Sequence, residues 1–108
     1  MPKRDADLLI GDMVESCSNI FEYTAGMSLH EFMKDKKTRD AVIRNFEVLG
    51  EAARRVPGEI QSANNEVEWR KISDLRNVLI HEYFGINYET LWKIMEDYLP
   101  RQFEQLKN

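Results

Sequence analysis

Apolar residues along this chain recur at three- and four-residue spacing, and nowhere do they alternate with polar ones long enough to make a strand. From about Asp5 to Tyr23 the stripe is Leu9, Ile10, Met13, Val14, Cys17, Ile20 and Phe21, which predicts a helix with one buried face. Gly26 is a stop signal, because glycine readily takes the left-handed conformation that ends helices. Ser28-Leu29-His30-Glu31 has the capping-box pattern and predicts a short helix. Thr38 is the expected cap of a longer one, with Ala41, Val42, Phe46, Leu49, Ala52, Ala53 and Val56 as its stripe and Pro57-Gly58 as its end. Glu59 to Asn65 is polar and turn-like, with room for one helical turn. A third long helix is expected from about Glu68 to Tyr83, followed by Gly85. Asn87 caps a fourth through Tyr88, Leu91, Trp92, Ile94, Met95 and Leu99, in which Pro100 should make a kink or a break. The predicted fold is all-α: one domain over residues 1–108, an antiparallel up-and-down bundle of four main helices with one or two short extras.

Composition narrows the class. With 108 residues, 43% apolar and 31% charged, the chain has the make-up of an ordinary globular domain with one core. Its single cysteine, Cys17, lies on the first apolar stripe and excludes an internal disulfide. There is no Cys/His cluster at zinc spacing, no phosphate-cradling glycine loop, and no apolar run near the roughly 18–20 residues of a membrane span. The N-terminal residues run straight into a charged helical pattern without the apolar segment of a signal peptide, so a cytoplasmic location is expected. The formal charge of −4 argues against indiscriminate nucleic-acid binding, which rests on a basic surface.

The chemistry lies in Asp74-Leu75-Arg76-Asn77-Val78-Leu79-Ile80-His81-Glu82-Tyr83. At about 100° per residue, Ile72, Leu75 and Leu79 form the core stripe with Tyr83 close beside them. Asp74, Asn77 and His81 fall together on the opposite side, and Arg76 lies on the flank shared with Ile80. His81 therefore does not face its own helix's core. The bland reading of such a face is a solvated helix surface. The chemical reading is phosphodiester cleavage without a metal. A histidine titrates near neutral pH and can move the proton of a ribose 2′-hydroxyl, while a guanidinium matches the charge growing on phosphorus. One histidine is too few for a paired acid and base, and a two-fold dimer supplies the second.

Arg76-x4-His81-x-Tyr83 resembles the motif of the HEPN superfamily in the form found in HepT-type toxins. Arg44-Asn45-Phe46-Glu47-Val48-Leu49-Gly50-Glu51-Ala52-Ala53, Trp69, His81-Glu82-Tyr83-Phe84-Gly85-Ile86 and Leu91-Trp92 extend the likeness over nearly the whole chain. The resemblance implies an all-helical homodimer with its cleft at the subunit interface, and a metal-independent endoribonuclease with Arg76 and His81 as the catalytic pair. It implies a toxin of a type VII-like toxin–antitoxin pair. The antitoxin, a minimal nucleotidyltransferase (MNT), would transfer AMP onto Tyr83, and ATP and magnesium would belong to that partner. The toxin itself would need no cofactor or membrane. The product would be a 2′,3′-cyclic phosphate, and DNA, lacking a 2′-hydroxyl, should resist. The competing class is a HEPN domain that binds RNA, a nucleotide or a nucleotidyltransferase without cleaving.

Supporting positions follow. Asn77 is a polar contact next to Arg76, and Asp74 shares its face. Glu47 and Glu51 sit one turn apart with Arg44, Arg54 and Arg55 nearby, so intrahelical ion pairs compete with a role in the cleft. Lys34, Lys36, Lys37 and Arg39 form a basic cluster suited either to RNA phosphates or to solvent, and His30 reads as a surface residue. Trp69 and Trp92 read as bundle packing.

Overall fold

The first helix, α1, spans Lys3–Thr24 and buries Leu9, Met13, Cys17 and Ile20, spaced four, four and three residues apart. These positions belong to a computed structural model that describes residues 3–80 and 85–108, with the backbone alone for residues 3, 4, 76 and 78–80. The Thr24 hydroxyl donates back to the Ile20 carbonyl at 2.8 Å, and Gly26 at φ +76° turns the chain out of the helix. The short helix α2, Leu29–Lys34, starts on the expected capping box. Glu31 N donates to Ser28 Oγ at 3.1 Å, and Ser28 N donates to Glu31 Oε1 at 2.9 Å.

Helix α3, Lys36–Arg55, is capped by Asp35 and not by Thr38. The Asp35 carboxylate accepts from Thr38 N at 3.0 Å and from Thr38 Oγ1 at 2.7 Å, so the residue expected as the cap is the donor to it. Val56 is extended ahead of Pro57, as the proline ring requires. The polar stretch after it is a helix, α4, Gly58–Ala63, with Pro57 as its N-cap residue. Gln61 Nε2 donates to the carbonyls of Val56 at 2.9 Å and Ala53 at 3.4 Å, closing the end of α3 from outside.

Helix α5 spans Trp69–Ile80, and the expected continuation to Tyr83 lies outside the described residues. Asn87 caps α6, Tyr88–Lys93, by accepting from Thr90 N at 3.1 Å. A π-helical turn over Ile94–Tyr98 then leads into α7, Leu99–Lys107. The expected break therefore falls just before Pro100, where the regular α-helix gives way to the π turn. The turn before it widens by one residue, Leu99 N reaches the Ile94 carbonyl, and Pro100 falls in the first turn of α7, where a missing N–H costs nothing.

The fold is all-α, with no strand among the described residues. Helix α3 lies at the centre, packed on one side by α1 and on another by α5, while α7 rests on α1. Helices α1 and α3 run antiparallel: Asn19 Nδ2 donates to Asn45 Oδ1 at 3.1 Å, while Leu9 and Asp12 at the other end adjoin Ala52 and Arg55. Counting α6, the π turn and α7 as one composite helix leaves four main helices, with α2 and α4 as short extras. Phe32, Phe46, Met13, Ile20, Leu49, Ile72, Leu91 and Leu99 are the large, fully buried side chains at the core. Among the described residues no helix is long and apolar enough to cross a membrane.

Candidate functional site

The site is built on α5, and the start of that helix is fixed by polar contacts from two directions. Glu68 N donates to Gln102 Oε1 at 2.9 Å, and Gln102 Nε2 donates back to Glu68 Oε1 at 3.3 Å. Gln102 is buried in α7, so this reciprocal pair ties the first turn of α5 to the last helix. Trp69 Nε1 donates to the Asn64 carbonyl at 3.0 Å with its ring buried, and Lys71 Nζ sits 5.0 Å from the Tyr98 ring centroid. Trp69 is packing, as its position in the pattern suggested. Nothing in the sequence marked Gln102, which reads there as one more polar residue of an amphipathic helix.

From that start the apolar stripe of α5 turns inward. Ile72 and Leu75 are buried, while Asp74 and Asn77 are exposed. The face assigned to chemistry is therefore directed away from the core at both of its described positions. Arg76 is a helical residue between them, and its side chain lies outside the described residues, as do His81 and Tyr83 altogether. The core position expected for Leu79 also falls on a side chain outside the described residues.

Glu47 and Glu51 lie on α3, each partly exposed and each paired along the helix. Arg44 Nη1 stands 3.7 Å from Glu47 Oε2. Arg54 meets Glu51 with two donors, Nη2 to Oε1 at 2.6 Å and Nε to Oε2 at 3.3 Å. Those hydrogen bonds, and then the charge of Glu51, raise the Arg54 pKa above the usual guanidinium value. The intrahelical pairs foreseen from the spacing are present. Both glutamates also border a cleft of about 260 Å³ between α1 and α3, floored by Leu9 and Ala52 and rimmed by Asp12, Arg44 and Arg55. Its rim mixes both signs of charge. No group of three or more His, Cys, Asp or Glu among the described residues is placed to hold a metal ion.

The basic cluster divides. Lys34, Lys36 and Lys37 are exposed, with Lys36 Nζ 2.7 Å from Asp40 Oδ2. Arg39, unlike the lysines, is partly buried and donates to the carbonyls of Phe32 and Met33. Cys17 is buried in α1, and burial pushes its thiol up to about 12, so it stays protonated and inert at neutral pH.

These features describe an all-helical domain that presents a polar face of its motif helix away from the bundle core. The profile of the ribonuclease HepT-like family matches residues 13–108. Among similar proteins, one from Methanocaldococcus jannaschii carrying the provisional name of an RNase is 40% identical over 107 residues, covering 99% of this chain and 88% of its own. A second from the same organism, also provisionally named as an RNase, is 40% identical over 101 residues, covering 94% and 93%. A Thermococcus cleftensis protein named as a probable ribonuclease HepT is 35% identical over 108 residues, covering 97% and 98%. No solved structure matches the chain. The chain belongs to the ribonuclease HepT-like family, and the enzyme class expected from its sequence is the class of that family.

Proposed function

We propose that the chain is a metal-independent endoribonuclease, active as a homodimer and the toxin of a toxin–antitoxin pair. Family membership over residues 13–108 carries this reading, together with an Arg76-x4-His81-x-Tyr83 motif whose described neighbours Asp74 and Asn77 face away from the core. In the proposed reaction the ribose 2′-oxygen attacks the adjacent phosphorus. One His81 imidazole takes the 2′-hydroxyl proton, and the imidazolium of the partner's His81 gives a proton to the departing 5′-oxygen. The P–O5′ bond breaks as the new P–O2′ bond closes a 2′,3′-cyclic phosphate. Arg76 stabilises the negative charge that grows on the non-bridging oxygens. Facing histidines titrate as a coupled pair, which favours one protonated and one neutral copy at neutral pH. The chain needs no cofactor of its own for these steps.

Tyr83 is the proposed acceptor of AMP from a minimal nucleotidyltransferase antitoxin, which uses ATP and magnesium. The tyrosine oxygen attacks the α-phosphorus of ATP and pyrophosphate leaves. The phosphodiester formed adds bulk and negative charge next to the cleft, where RNA phosphates are repelled. Asn77, Asp74, Glu47 and Glu51 are proposed as supporting groups.

The deciding experiment incubates the purified protein with structured and unstructured RNA in excess EDTA. Cleavage that persists in EDTA and disappears in His81→Ala supports the reading. Intact RNA across all substrates, with binding retained, replaces it with a non-catalytic binding domain. Intact-mass measurement after incubation with an active cognate nucleotidyltransferase and ATP tests the modification. Wild type should gain AMP and Tyr83→Phe should not.

A further inference from the structure

The flank of α1 beside α3 carries two large apolar side chains open to solvent. Leu8, Asp12, Asn19 and Tyr23 follow one another at four, seven and four residues, so they share one side of the helix. Asn19 fixes where that side points, because its side chain bonds Asn45 of α3. Leu8 is 60% exposed and Tyr23 41%, two of the three exposed large apolar side chains among the described residues. Leu8 also stands at the edge of the cleft between α1 and α3. With Asp5 it lines a recess that shares Leu9, Asp12 and Arg55 with that cleft. A projecting leucine therefore adjoins a hole of about 260 Å³ lined on its apolar side by Leu9, Val48 and Ala52.

A knob and a hole side by side on one face suit a second copy of the chain. A two-fold axis between them seats each Leu8 in the other copy's cleft and closes the contact at two chains. A hole elsewhere on the molecule would build an open filament instead. The charges fit the same occupant. Every charged residue of α1 from Asp5 onward is acidic, while α3 exposes Arg44 and Arg55 on the rim of the cleft. A two-fold contact lays the acidic helix of one copy against the arginines of the other, twice. A polyanion on this face would meet the acidic run of α1 and be repelled. The area is adequate as well. Helices α1 and α3 lie side by side over 22 and 20 residues. Their joint outer face is roughly 600 Å², of the order of the ~800 Å² that each partner of a standard-size interface covers.

We propose that the α1–α3 face is the surface through which two copies of this chain pair, with Leu8 of each seated in the cleft of the other. This rests on the homodimer of the proposed function and names the face that forms it, and nothing in it depends on how RNA is cleaved.

The test compares the full chain and its variants by sedimentation across a range of concentrations. Leu8→Glu changes an exposed side chain, so its circular dichroism should match wild type. Its dimer Kd should rise about 100-fold or more, since each interface holds two copies of the change. Two charge variants make the test specific to this face. Arg44→Glu with Arg55→Glu should weaken pairing, because acid then meets acid. Asp5→Lys with Asp12→Lys should weaken it too, because base then meets base. An equimolar mixture of these two variants should recover the dimer, as each contact again joins opposite charges. Lys34→Glu, on α2, should leave the Kd at its wild-type value. A wild-type chain that stays monomeric at every concentration defeats the homodimer reading and this proposal with it. A wild-type dimer that Leu8→Glu leaves intact, or a mixture that does not recover, overturns the face alone and keeps the dimer.

Discussion

Asp35 shows how one side chain sets a boundary. Its carboxylate accepts two hydrogen bonds from Thr38, and these bonds, with smaller help from Arg39 and Lys37, hold it below the usual carboxylate range. Glu31 is lowered in the same way by Ser28. Both groups ionise more readily folded than unfolded. Their contribution is thus complete above the ordinary carboxylate pKa and is lost as pH falls through the lowered folded values. Asp35→Asn keeps an N-cap oxygen and removes the titration. Its stability should fall less steeply on acidification below about pH 4 than that of wild type, measured by urea unfolding across pH. Equal slopes would show that Asp35 is not a source of the acid sensitivity. The sequence offered Thr38 as cap because threonine caps as well as it donates. Only the geometry shows which of two capping residues three positions apart accepts. In the core the pattern left less choice. Phe46, on the α3 stripe, is 1% exposed, and Phe46→Ala should cost about 3–5 kcal/mol in chemical denaturation.

Among the elements, α5 depends on contacts that its own sequence does not contain. The reciprocal bonds between Glu68 and Gln102 join positions 34 apart. Gln102→Leu would fill much the same volume and leave the Glu68 N–H without its acceptor. Removing a buried partner costs about 1–3 kcal/mol, and denaturant midpoints should drop accordingly. Amide exchange should speed up most at the first turn of α5. Uniform acceleration across the bundle would assign Gln102 to the general core instead. Long-range bonds of this kind are invisible to a periodicity argument, because glutamine at a core-facing position reads as an error in the stripe. The π turn is a related case. Pro100 announced an irregularity, and the core decided its form. Widening one turn keeps Leu99, Gln102 and Leu106 all facing inward, which a sharp break would not. The polar α4 was legible only as a turn, since its closing contact is the Gln61 side chain reaching back to α3.

For the whole molecule, the charge of −4 takes on a definite meaning. From Asp5 to Met33 the chain carries no lysine or arginine, so every charged residue of α1 from Asp5 onward is acidic: Asp5, Asp7, Asp12, Glu15 and Glu22, all exposed. Arg39 is partly buried and bonded to the end of α2, and Lys36 is paired. RNA binding by such a molecule should therefore depend on few phosphate contacts. With two copies of Arg76 as the main cations, log affinity against log salt should have a slope of about −1 to −2. A slope steeper than about −4 would reveal a broad basic face and a different mode of binding. The proposed dimer gives a second expectation. Specific activity should fall on dilution together with the dimer fraction seen by light scattering.

The sequence by itself determined the helical class, the order of the four main helices, the core stripes and the motif of Arg76, His81 and Tyr83 with its family. Each of these is local, written in spacing along one helix or in the residues of one segment. Tertiary structure decided which side of the Asp35–Thr38 pair caps α3, why Gln102 is buried, how Pro100 is accommodated, and that Arg39 bonds to the end of α2. All four depend on which atoms meet across elements distant in the chain or in competing local geometries, and a one-dimensional pattern does not encode those distances.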